Sequence, residues 1–349
     1  MSRTLAVRLD SDGDVLLMGP ALRALAATAD AVHLLVSSAG EQAARLLPGI
    51  EEVLVFDAPW SGYQPPPVDA AAVATLVDRL RSGDYARAVI FTSFHQSPLP
   101  MALLARLAGI GWTGATSQDY PGSLLDLRHR RDNGHEVEAA LALASAAGGA
   151  LPAGDDGRLA LRTPLPDVSS LVPSRPYVVV HPGAAVPARS LRADHAQAVV
   201  SDLRSAGWPV VVTGSSEDAE LTGWGARGGG LNLAGATSYA ELAAVLAGAA
   251  CVVAVNTGPA HLAAAVATPV VSLFSPVVSA SRWAPYGVPS VVLGDQQAAC
   301  RDTRARECPL PGHPCLSDVS PAEVTAAVAA LAGDRAPGKV LANTAEGAR

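Results

Sequence analysis

The sequence predicts an α/β protein with two parallel β-sheets, each covered by helices. Three observations lead to this class. Short β-branched runs alternate with longer segments of helical period through most of the 349 residues, which is the pattern of β-α-β units. The runs in the second half are almost continuously apolar, as in strands that are buried on both faces. A chain of this length is also expected to form about two domains, each with its own core.

The apolar runs predict nine strands, with helices between them. In the first half the predicted strands are residues 5–9, 32–36, 52–56 and 88–92. In the second half they are residues 177–181, 209–213, 231–233, 251–256 and 269–274. Residues 163–176 are rich in proline and have no helical period, which predicts an interdomain linker. We therefore expect two Rossmann-like domains, residues 1–165 and 166–335, followed by a disordered tail, residues 336–349.

The last helix is predicted to begin after Ser320, because Ser320 and Glu323 have the spacing of a capping box and Pro321 suits the first turn. The irregular segment before it carries four residues that could bind zinc or simply pack a loop, namely Cys300, Cys308, His313 and Cys315. The gaps between these cysteines do not match the close pairs of zinc ribbons, so we assign no metal site. Cys251 lies in an apolar run and is expected to belong to the core.

Composition and charge exclude two classes of function. The chain has 25 Lys and Arg residues against 32 Asp and Glu, a net charge of −7, and 49% of its residues are hydrophobic. This excludes a disordered chain and a nucleic-acid binder that relies on bulk positive charge. The first residues alternate like a strand and not like a signal peptide, and no apolar run has the length of a membrane helix. We expect a cytoplasmic protein, with a peripheral position at the inner face of the plasma membrane left open.

Ligands of parallel sheets bind beyond the carboxyl ends of the strands, so the loops at these ends are the candidate sites. The first such loop contains Asp10, Asp12, Gly13 and Asp14 and runs directly into a helix. A carboxylate in this position can act as a base in a cleft. Asp is also common in the first turn of a helix, where it binds free amide groups, and we expect one of the three aspartates to have that role.

Three loops of the second half suit a phosphorylated ligand. Residues 181–190 are rich in small side chains that allow close approach to the backbone, and Arg189 could bind phosphate oxygens in a bidentate manner. Residues 255–262 begin a helix with Gly258 and Pro259, so free amides converge there as in an anion site. An acidic side chain in residues 213–218 could accept hydrogen bonds from ribose hydroxyls. Solvated loops and a packed His261 are the structural alternatives.

The usual nucleotide and hydrolase signatures are absent. The sequence contains no G-x-G-x-x-G after the first strand, no G-x-x-x-x-G-K-[ST], no G-x-S-x-G and no H-E-x-x-H. Dinucleotide binding, P-loop chemistry, serine hydrolysis and zinc peptidase chemistry are therefore not indicated, and another way of binding phosphate is needed.

Taken in order, the loop motifs resemble glycosyltransferase family 9, whose best-known members are the ADP-heptose heptosyltransferases of lipopolysaccharide assembly. The matching segments are Arg8-Leu9 with Gly13-Asp14-Val15-Leu16-Leu17, His181-Pro182-Gly183-Ala184 with Arg189, Asn232-Leu233-Ala234-Gly235, and Asn256-Thr257-Gly258-Pro259-Ala260-His261. The segment from Cys308 to Pro321 is also similar to the C-terminal part of the family.

This resemblance implies a GT-B architecture, in which the N-terminal domain binds the acceptor and the C-terminal domain binds a nucleotide-diphosphate sugar such as ADP-heptose. It also implies inversion at the anomeric carbon without a metal or other cofactor. Asp14 falls on the proposed general base and Arg189 on a catalytic position that contacts the diphosphate. The donor-binding positions carried over are His181, Gly183, Glu217, Asp218, Asn256, Thr257, Gly258 and His261. Gly13 and His95 are candidates for acceptor binding.

Some residues depart from the family pattern. Asn256 stands where the family often has Asp, Ser190 follows the basic position where an aromatic residue is common, and Asp10 and Asp12 replace more neutral residues. The acceptor is expected to be a glycoconjugate or a small-molecule hydroxyl, chosen by residues 93–96 and 112–120, and the protein is expected to be a monomer that binds no nucleic acid. An epimerase of the same architecture and a non-catalytic nucleotide-sugar-binding protein remain the alternatives.

Overall fold

The structure is a computed structural model that describes residues 3–62 and 64–333. The chain divides into two compact units, residues 1–162 and 163–349. The tail predicted to be disordered, residues 336–349, lies outside the described residues.

The first unit is built on a six-stranded parallel sheet with the order β3-β2-β1-β4-β5-β6. Its strands are β1 (Arg3–Arg8), β2 (Ala31–Val36), β3 (Glu52–Val55), β4 (Tyr85–Ile90), β5 (Trp112–Thr116) and β6 (Leu127–His129). Its helices are α1 (Asp12–Leu17), α2 (Gly19–Ala26), α3 (Glu41–Leu46), α4 (Ala70–Ser82), α5 (Leu99–Leu107) and α6 (Glu136–Ala146). Val7 at the centre of β1 pairs with Leu35 and Ile90, and all three are fully buried.

The second unit repeats this arrangement with a six-stranded parallel sheet in the order β12-β11-β10-β7-β8-β9. Its strands are β7 (Val178–His181), β8 (Val210–Val212), β9 (Leu231–Asn232), β10 (Cys251–Val255), β11 (Val270–Leu273) and β12 (Ser290–Leu293). Its helices are α7 (Ala193–Ser205), α8 (Ala219–Arg227), α9 (Tyr239–Gly248), α10 (Gly258–Ala265), α11 (Ala280–Trp283), α12 (Pro314–Ser317) and α13 (Pro321–Ala332). A single 3₁₀ turn covers Pro187–Arg189.

The predicted fold class is confirmed, because both sheets are parallel and each has the strand order of a Rossmann fold. All nine predicted strands are present, with ends that differ by a few residues. The structure adds β5, β6 and β12, which the sequence pattern did not reveal. One prediction is corrected in part, because residues 112–120 were expected to be a loop and their first five residues form β5.

The predicted start of the last helix is also confirmed. The Ser320 hydroxyl accepts a hydrogen bond from the amide of Glu323 at 3.2 Å, and the Glu323 carboxylate accepts one from the amide of Ser320 at 2.8 Å, so α13 begins with a capping box. Residues 163–176 contain turns and bends but no helix or strand. Among the helices of the described ranges, none combines the length and the apolar character that a membrane crossing requires.

Candidate active site

The strand order determines which loops meet at the carboxyl edge of each sheet. In the first unit β1 lies beside β4, so the loop that carries Asp14 lies beside residues 91–98. In the second unit β7 lies between β10 and β8, so the loops that follow these three strands are neighbours. The chain direction of the crossovers reverses between β1 and β4 and between β7 and β10, which are the positions where open α/β sheets bind ligands.

The carboxylate of Asp14 is held by two side chains. Its Oδ1 accepts a hydrogen bond from Nη2 of Arg8 at 2.9 Å, and its Oδ2 accepts one from the hydroxyl of Ser11 at 3.1 Å. The Asp14 side chain is 23% exposed, whereas that of Arg8 is only 3% exposed. Asp14 therefore presents a fixed and accessible carboxylate at the carboxyl edge of the first sheet.

A second carboxylate shares the same arginine. Oδ2 of Asp10 lies 2.7 Å from Nε of Arg8, and Oδ1 of Asp10 accepts a hydrogen bond from Nε2 of Gln96 at 2.6 Å. Burial works against the charge on Arg8, but Asp10, Asp14 and Glu136 together outweigh it and raise the pKa of Arg8. Burial also raises the pKa of Asp10, and the charge of Arg8 opposes that rise.

The expected first-turn position is confirmed for Asp12 and Asp14, but neither of them is the N-cap residue of α1. Ser11 is the N-cap residue, and within the described residues its side chain makes no capping hydrogen bond. Asp12 and Asp14 do lie in the first turn, where the helix dipole favours them. Asp12 instead reaches another helix, because its Oδ1 accepts a hydrogen bond from the amide of Ala43 in α3 at 2.9 Å.

Burial raises the pKa of Asp12 to about 6, against the opposing effect of the hydrogen bond from Ala43. Because the folded pKa is above the unfolded one, the carboxylate destabilises the fold above pH 6, and this penalty disappears as the pH falls towards 4. We expect Asp12→Asn, which keeps the oxygen that accepts from Ala43, to increase the free energy of unfolding by about 1–3 kcal/mol at pH 8. Urea unfolding at pH 8 and pH 4.5 measures this. A gain of the same size at both pH values would contradict the prediction.

The two acceptor-binding candidates lie near Asp14. Gly13 precedes it in the sequence, and His95 lies in the loop after β4, the strand next to β1. Gly13 is buried within α1, directly before Asp14. His95 is exposed in the loop after β4, where its ring contacts that of Phe94 edge-on at 5.2 Å. Ser93 from the same loop accepts a hydrogen bond from Nη2 of Arg8 at 2.9 Å, which connects this loop to Asp14.

In the second unit, His181 ends β7 and is buried. Its Nδ1 lies 3.0 Å from the hydroxyl of Thr213 at the end of β8. Burial lowers the pKa of His181 to about 4, although the charge of Asp218 opposes this. The imidazole is therefore neutral near pH 7, and it can offer hydrogen bonds to a ligand but no positive charge.

Gly183 and Asp218 are packed together. A Cβ added to Gly183 would lie 2.7 Å from Oδ1 of Asp218, so only glycine fits at position 183 without a shift. Oδ2 of Asp218 accepts hydrogen bonds from the amide and the hydroxyl of Ser215, at 2.9 and 2.8 Å. Asp218 thus shapes its own loop, while the neighbouring Glu217 is exposed.

Arg189 ends the 3₁₀ turn and is half-buried. The turn is attached to a distant part of the sequence, because the amide of Ala188 donates to the carbonyl of Arg306 at 2.9 Å. The segment around Arg306 is attached in turn to the end of β11, where the amide of Arg304 donates to the carbonyl of Val277 at 2.8 Å. Asp302 and Arg304 have φ angles of 60° and 56°, so this connecting segment contains two non-glycine residues in the left-handed region.

The loop after β10 contains the remaining predicted residues. Asn256 is buried and bonds the backbone of Ser275 in both directions, because its Nδ2 donates to the carbonyl and its Oδ1 accepts from the amide, each at 3.2 Å. Thr257 is the N-cap residue of α10, and Gly258 is the first residue of that helix. His261 lies in the first turn and is buried. Because α10 begins soon after β10, its first amides lie at the carboxyl edge of the sheet, where β10 is next to β7 and β11.

Two of the three cysteines in residues 300–315 are packed in the core. Cys300 and Cys315 are each 1% exposed and belong to the hydrophobic core of the second unit, as does Cys251. Burial lowers the pKa of His313 and raises the pKa of Cys315 to about 11. In the part of the chain that the structure describes, no group of three or more His, Cys, Asp or Glu side chains is arranged to hold a metal ion.

Three residues of the first unit organise the site in a way that the sequence did not predict, namely Arg8, Ser93 and Gln96. Arg8 belongs to a family motif but had no predicted role, and Ser93 and Gln96 were expected only to help choose the acceptor. Gln96 donates to Asp10 and accepts a hydrogen bond from the amide of Ser93 at 3.0 Å, which fixes the loop after β4. The available signal was their position at the carboxyl ends of buried strands, since Arg8 is the last residue of β1 and Gln96 lies in the loop after β4, where polar side chains often serve a site.

Comparison with known proteins agrees with the geometry. The sequence profile of glycosyltransferase family 9 (heptosyltransferase) matches residues 73–313, more than half of the chain. No curated protein shows significant sequence similarity to the chain.

Three solved structures show the same fold. The ADP-heptose LPS heptosyltransferase II of E. coli is 21% identical with a TM-score of 0.71, over 95% of this chain and 98% of that one. A family 9 glycosyl transferase from Veillonella parvula is 17% identical with a TM-score of 0.75, over 95% and 97%. The E. coli heptosyltransferase WaaC with ADP-2-deoxy-2-fluoro heptose is 20% identical with a TM-score of 0.66, over 93% and 98%. On the profile match, with the fold in agreement, the chain belongs to glycosyltransferase family 9 and is a glycosyltransferase of the heptosyltransferase type.

Proposed function

We propose that the protein is an inverting glycosyltransferase that transfers a heptose or a similar sugar from ADP-heptose to a hydroxyl group of a glycoconjugate or a small molecule. The observation that carries this proposal is the carboxylate of Asp14, which is accessible and fixed by the side chains of Arg8 and Ser11 at the carboxyl edge of the first sheet. A fixed carboxylate in a ligand-binding position is what a general base requires.

In the proposed reaction, the acceptor oxygen attacks the anomeric carbon while the bond from that carbon to the diphosphate breaks. The bonding electrons leave with ADP, and Asp14 takes the proton of the acceptor hydroxyl as the new bond forms. Attack on the side opposite to the leaving group inverts the anomeric configuration. A positioned base of this kind contributes about 10² to 10⁴-fold to the rate.

The second unit would supply the groups that stabilise the departing diphosphate. Arg189 is positively charged, and the amides at the start of α10 point to the edge where β7, β8 and β10 end. Fixed donors that meet the developing charge lower the barrier without reorganisation of solvent. The neutral His181 would add a hydrogen bond without a full charge.

A donor screen tests the proposal. We expect ADP-heptose to raise the melting temperature, because a ligand at 100 times its dissociation constant stabilises the folded state by about 2.7 kcal/mol. UDP-glucose and GDP-mannose serve as controls for the base and the sugar. ADP release is then measured with a panel of glycolipid, glycan and small-molecule hydroxyl acceptors, and NMR of the product shows whether the anomeric configuration is inverted.

Two outcomes of this screen would reject the proposal. Isomerisation of the sugar in the absence of any acceptor would identify an epimerase. Binding of ADP-heptose without release of ADP on any acceptor would identify a nucleotide-sugar-binding protein without catalysis.

The two acidic residues before α8 are expected to differ in their effect. Because Asp218 is already bonded to Ser215 and Glu217 is exposed, we assign the ribose contact to Glu217. Glu217→Gln should weaken ADP binding by about 3- to 10-fold and leave the melting temperature unchanged, the loss expected when one charge-assisted hydrogen bond is weakened. Asp218→Asn should lower the melting temperature. Calorimetric titration measures the ADP affinity of both variants, and thermal unfolding measures their melting temperatures. Unchanged ADP affinity in Glu217→Gln would refute the assignment.

A further inference from the structure

The guanidinium of Arg8 is buried and lies between the carboxylates of Asp10 and Asp14, and Asp14 is the proposed general base. Its Nη2 is 2.9 Å from Oδ1 of Asp14 and 2.9 Å from the hydroxyl of Ser93, and its Nε is 2.7 Å from Oδ2 of Asp10. The Arg8 side chain is 3% exposed, that of Asp10 is 10% exposed and that of Asp14 is 23% exposed. The three groups carry a net charge of −1 when both carboxylates are ionised.

The partners of Arg8 are themselves fixed. Gln96 donates to Oδ1 of Asp10 at 2.6 Å and accepts from the amide of Ser93 at 3.0 Å, so the loop after β4 holds two of the three groups around the guanidinium. The hydroxyl of Ser61 lies 2.8 Å from the carbonyl of Leu9 and 3.5 Å from Oδ1 of Asp10. Two of the partners of Arg8, Asp10 and Ser93, are therefore held in place by groups other than Asp14.

We propose that Arg8 is the positioning residue for Asp14 and that Asp10 is the permanent counter-ion of Arg8. This inference rests on the proposed function, because it assumes that Asp14 receives the acceptor proton. When Asp14 takes that proton, the three groups change from a net charge of −1 to zero, and Arg8 remains paired with Asp10. Without Asp10, protonation of Asp14 would leave a buried guanidinium without a carboxylate partner, which is costly. Asp10 thus allows an arginine to orient the base without opposing its protonation.

The first test replaces Arg8 in two ways. We expect Arg8→Gln to lower kcat by about 100-fold, the lower end of the contribution of a positioned base, and Arg8→Lys to retain kcat within about 10-fold of the parent protein. The assay is release of ADP from ADP-heptose with the best acceptor of the panel, or with water as acceptor. The KM for ADP-heptose should stay unchanged in both variants, because the donor-binding residues belong to the second unit.

A double-mutant cycle separates positioning from a merely structural role. If Arg8 acts through Asp14, then Arg8→Gln combined with Asp14→Asn loses no more activity than Asp14→Asn alone. Additive losses would overturn the inference, and so would a kcat of Arg8→Gln within 3-fold of the parent protein. Full activity of Asp14→Asn would instead overturn the proposed base, so the two failures are distinguishable.

A crystal structure supplies a readout that needs no substrate. The Asp14 carboxylate should keep its position in Arg8→Lys and leave it in Arg8→Gln, and an unmoved carboxylate in Arg8→Gln would contradict the inference. Arg23→Gln is the matched control, because Arg23 forms a two-pronged bridge to Asp155 at 2.6 and 2.7 Å and both side chains are 14% exposed. This control should lower the melting temperature without changing kcat.

Asp10→Asn tests the role of the counter-ion. The asparagine oxygen can still accept from Gln96, so the loop should remain in place, but Arg8 then has Asp14 as its one remaining carboxylate partner in the trio. We expect kcat to fall by about 10-fold or more, with unchanged ADP affinity. An unchanged kcat would show that Asp10 has no part in proton transfer.

Discussion

Replacement of Asp14 by asparagine is expected to lower the rate of sugar transfer by about 10² to 10⁴-fold, because the variant removes the group that accepts the acceptor proton. The amide keeps the shape of the side chain. Its oxygen can accept from Arg8, and its nitrogen can donate to the hydroxyl of Ser11, so the local structure should survive. Initial rates of ADP formation from ADP-heptose measure the effect.

The control for this prediction is Asp156→Asn, since Asp156 is 63% exposed, pairs with Arg158 and lies in the same unit. It should transfer sugar at the parental rate. Both variants should melt at the parental temperature and bind ADP with unchanged affinity. A rate close to that of the parent protein in well-folded Asp14→Asn would rule out the general base and with it the main support of the proposed function.

Asn256→Asp is expected to destabilise the second unit by about 2–4 kcal/mol at pH 8, although the two side chains have nearly the same shape. Asn256 is 6% exposed and donates to the carbonyl of Ser275, whereas an ionised aspartate can only accept. The variant would therefore bury a charge and set an oxygen against the Ser275 carbonyl. Protonation of the new carboxyl group would restore the donor, so the loss should shrink as the pH falls towards 5.

The matched control for this variant is Asn232→Asp, at the end of β9. Oδ1 of Asn232 accepts a hydrogen bond from the amide of Ala234 at 3.0 Å, a role that a carboxylate can take over, and the residue is exposed. Thermal unfolding at pH 8 and pH 5 should show a pH-dependent loss at position 256 and none at position 232. Equal melting temperatures for Asn256→Asp and the parent protein would show that the bonds to Ser275 do not stabilise this loop.

The strands with the clearest signal in the sequence are those buried on both faces. β7 and β10 are entirely buried and appear in the sequence as continuous apolar runs. β12 is a four-residue strand at the edge of its sheet, where exposed and half-buried residues alternate, so burial on both faces does not mark it in the sequence. β5 is interrupted by Gly114. A Cβ at this position would lie 2.6 Å from the Trp112 ring, so the ring occupies the space that a larger side chain would need. This packing leaves no periodic signal in the sequence.

The candidate site was also predictable only in part. A carboxylate at the start of a helix, next to a buried strand, identified Asp14 from a few adjacent residues. Ser93 and Gln96 act on that carboxylate through Arg8 and Asp10, and they are brought together only when β4 pairs with β1. The hydrogen bond from the amide of Ala43 in α3 to Asp12 was not predictable, because local sequence does not reveal contacts between separate helices.

The attachment of the Arg189 turn to Arg306 has a consequence for how donor preference can diverge among relatives. The turn is held by bonds within its own loop, such as that from the amide of Leu191 to the carbonyl of Pro182 at 2.9 Å, and also by the segment of residues 300–306 with its two left-handed residues. An insertion or a relaxed bend in that segment would be expected to displace the Arg189 guanidinium without replacing any of the predicted donor-binding residues. Donor preference could therefore change through residues that the family motifs do not include, and comparison of the motif residues alone would overlook that change.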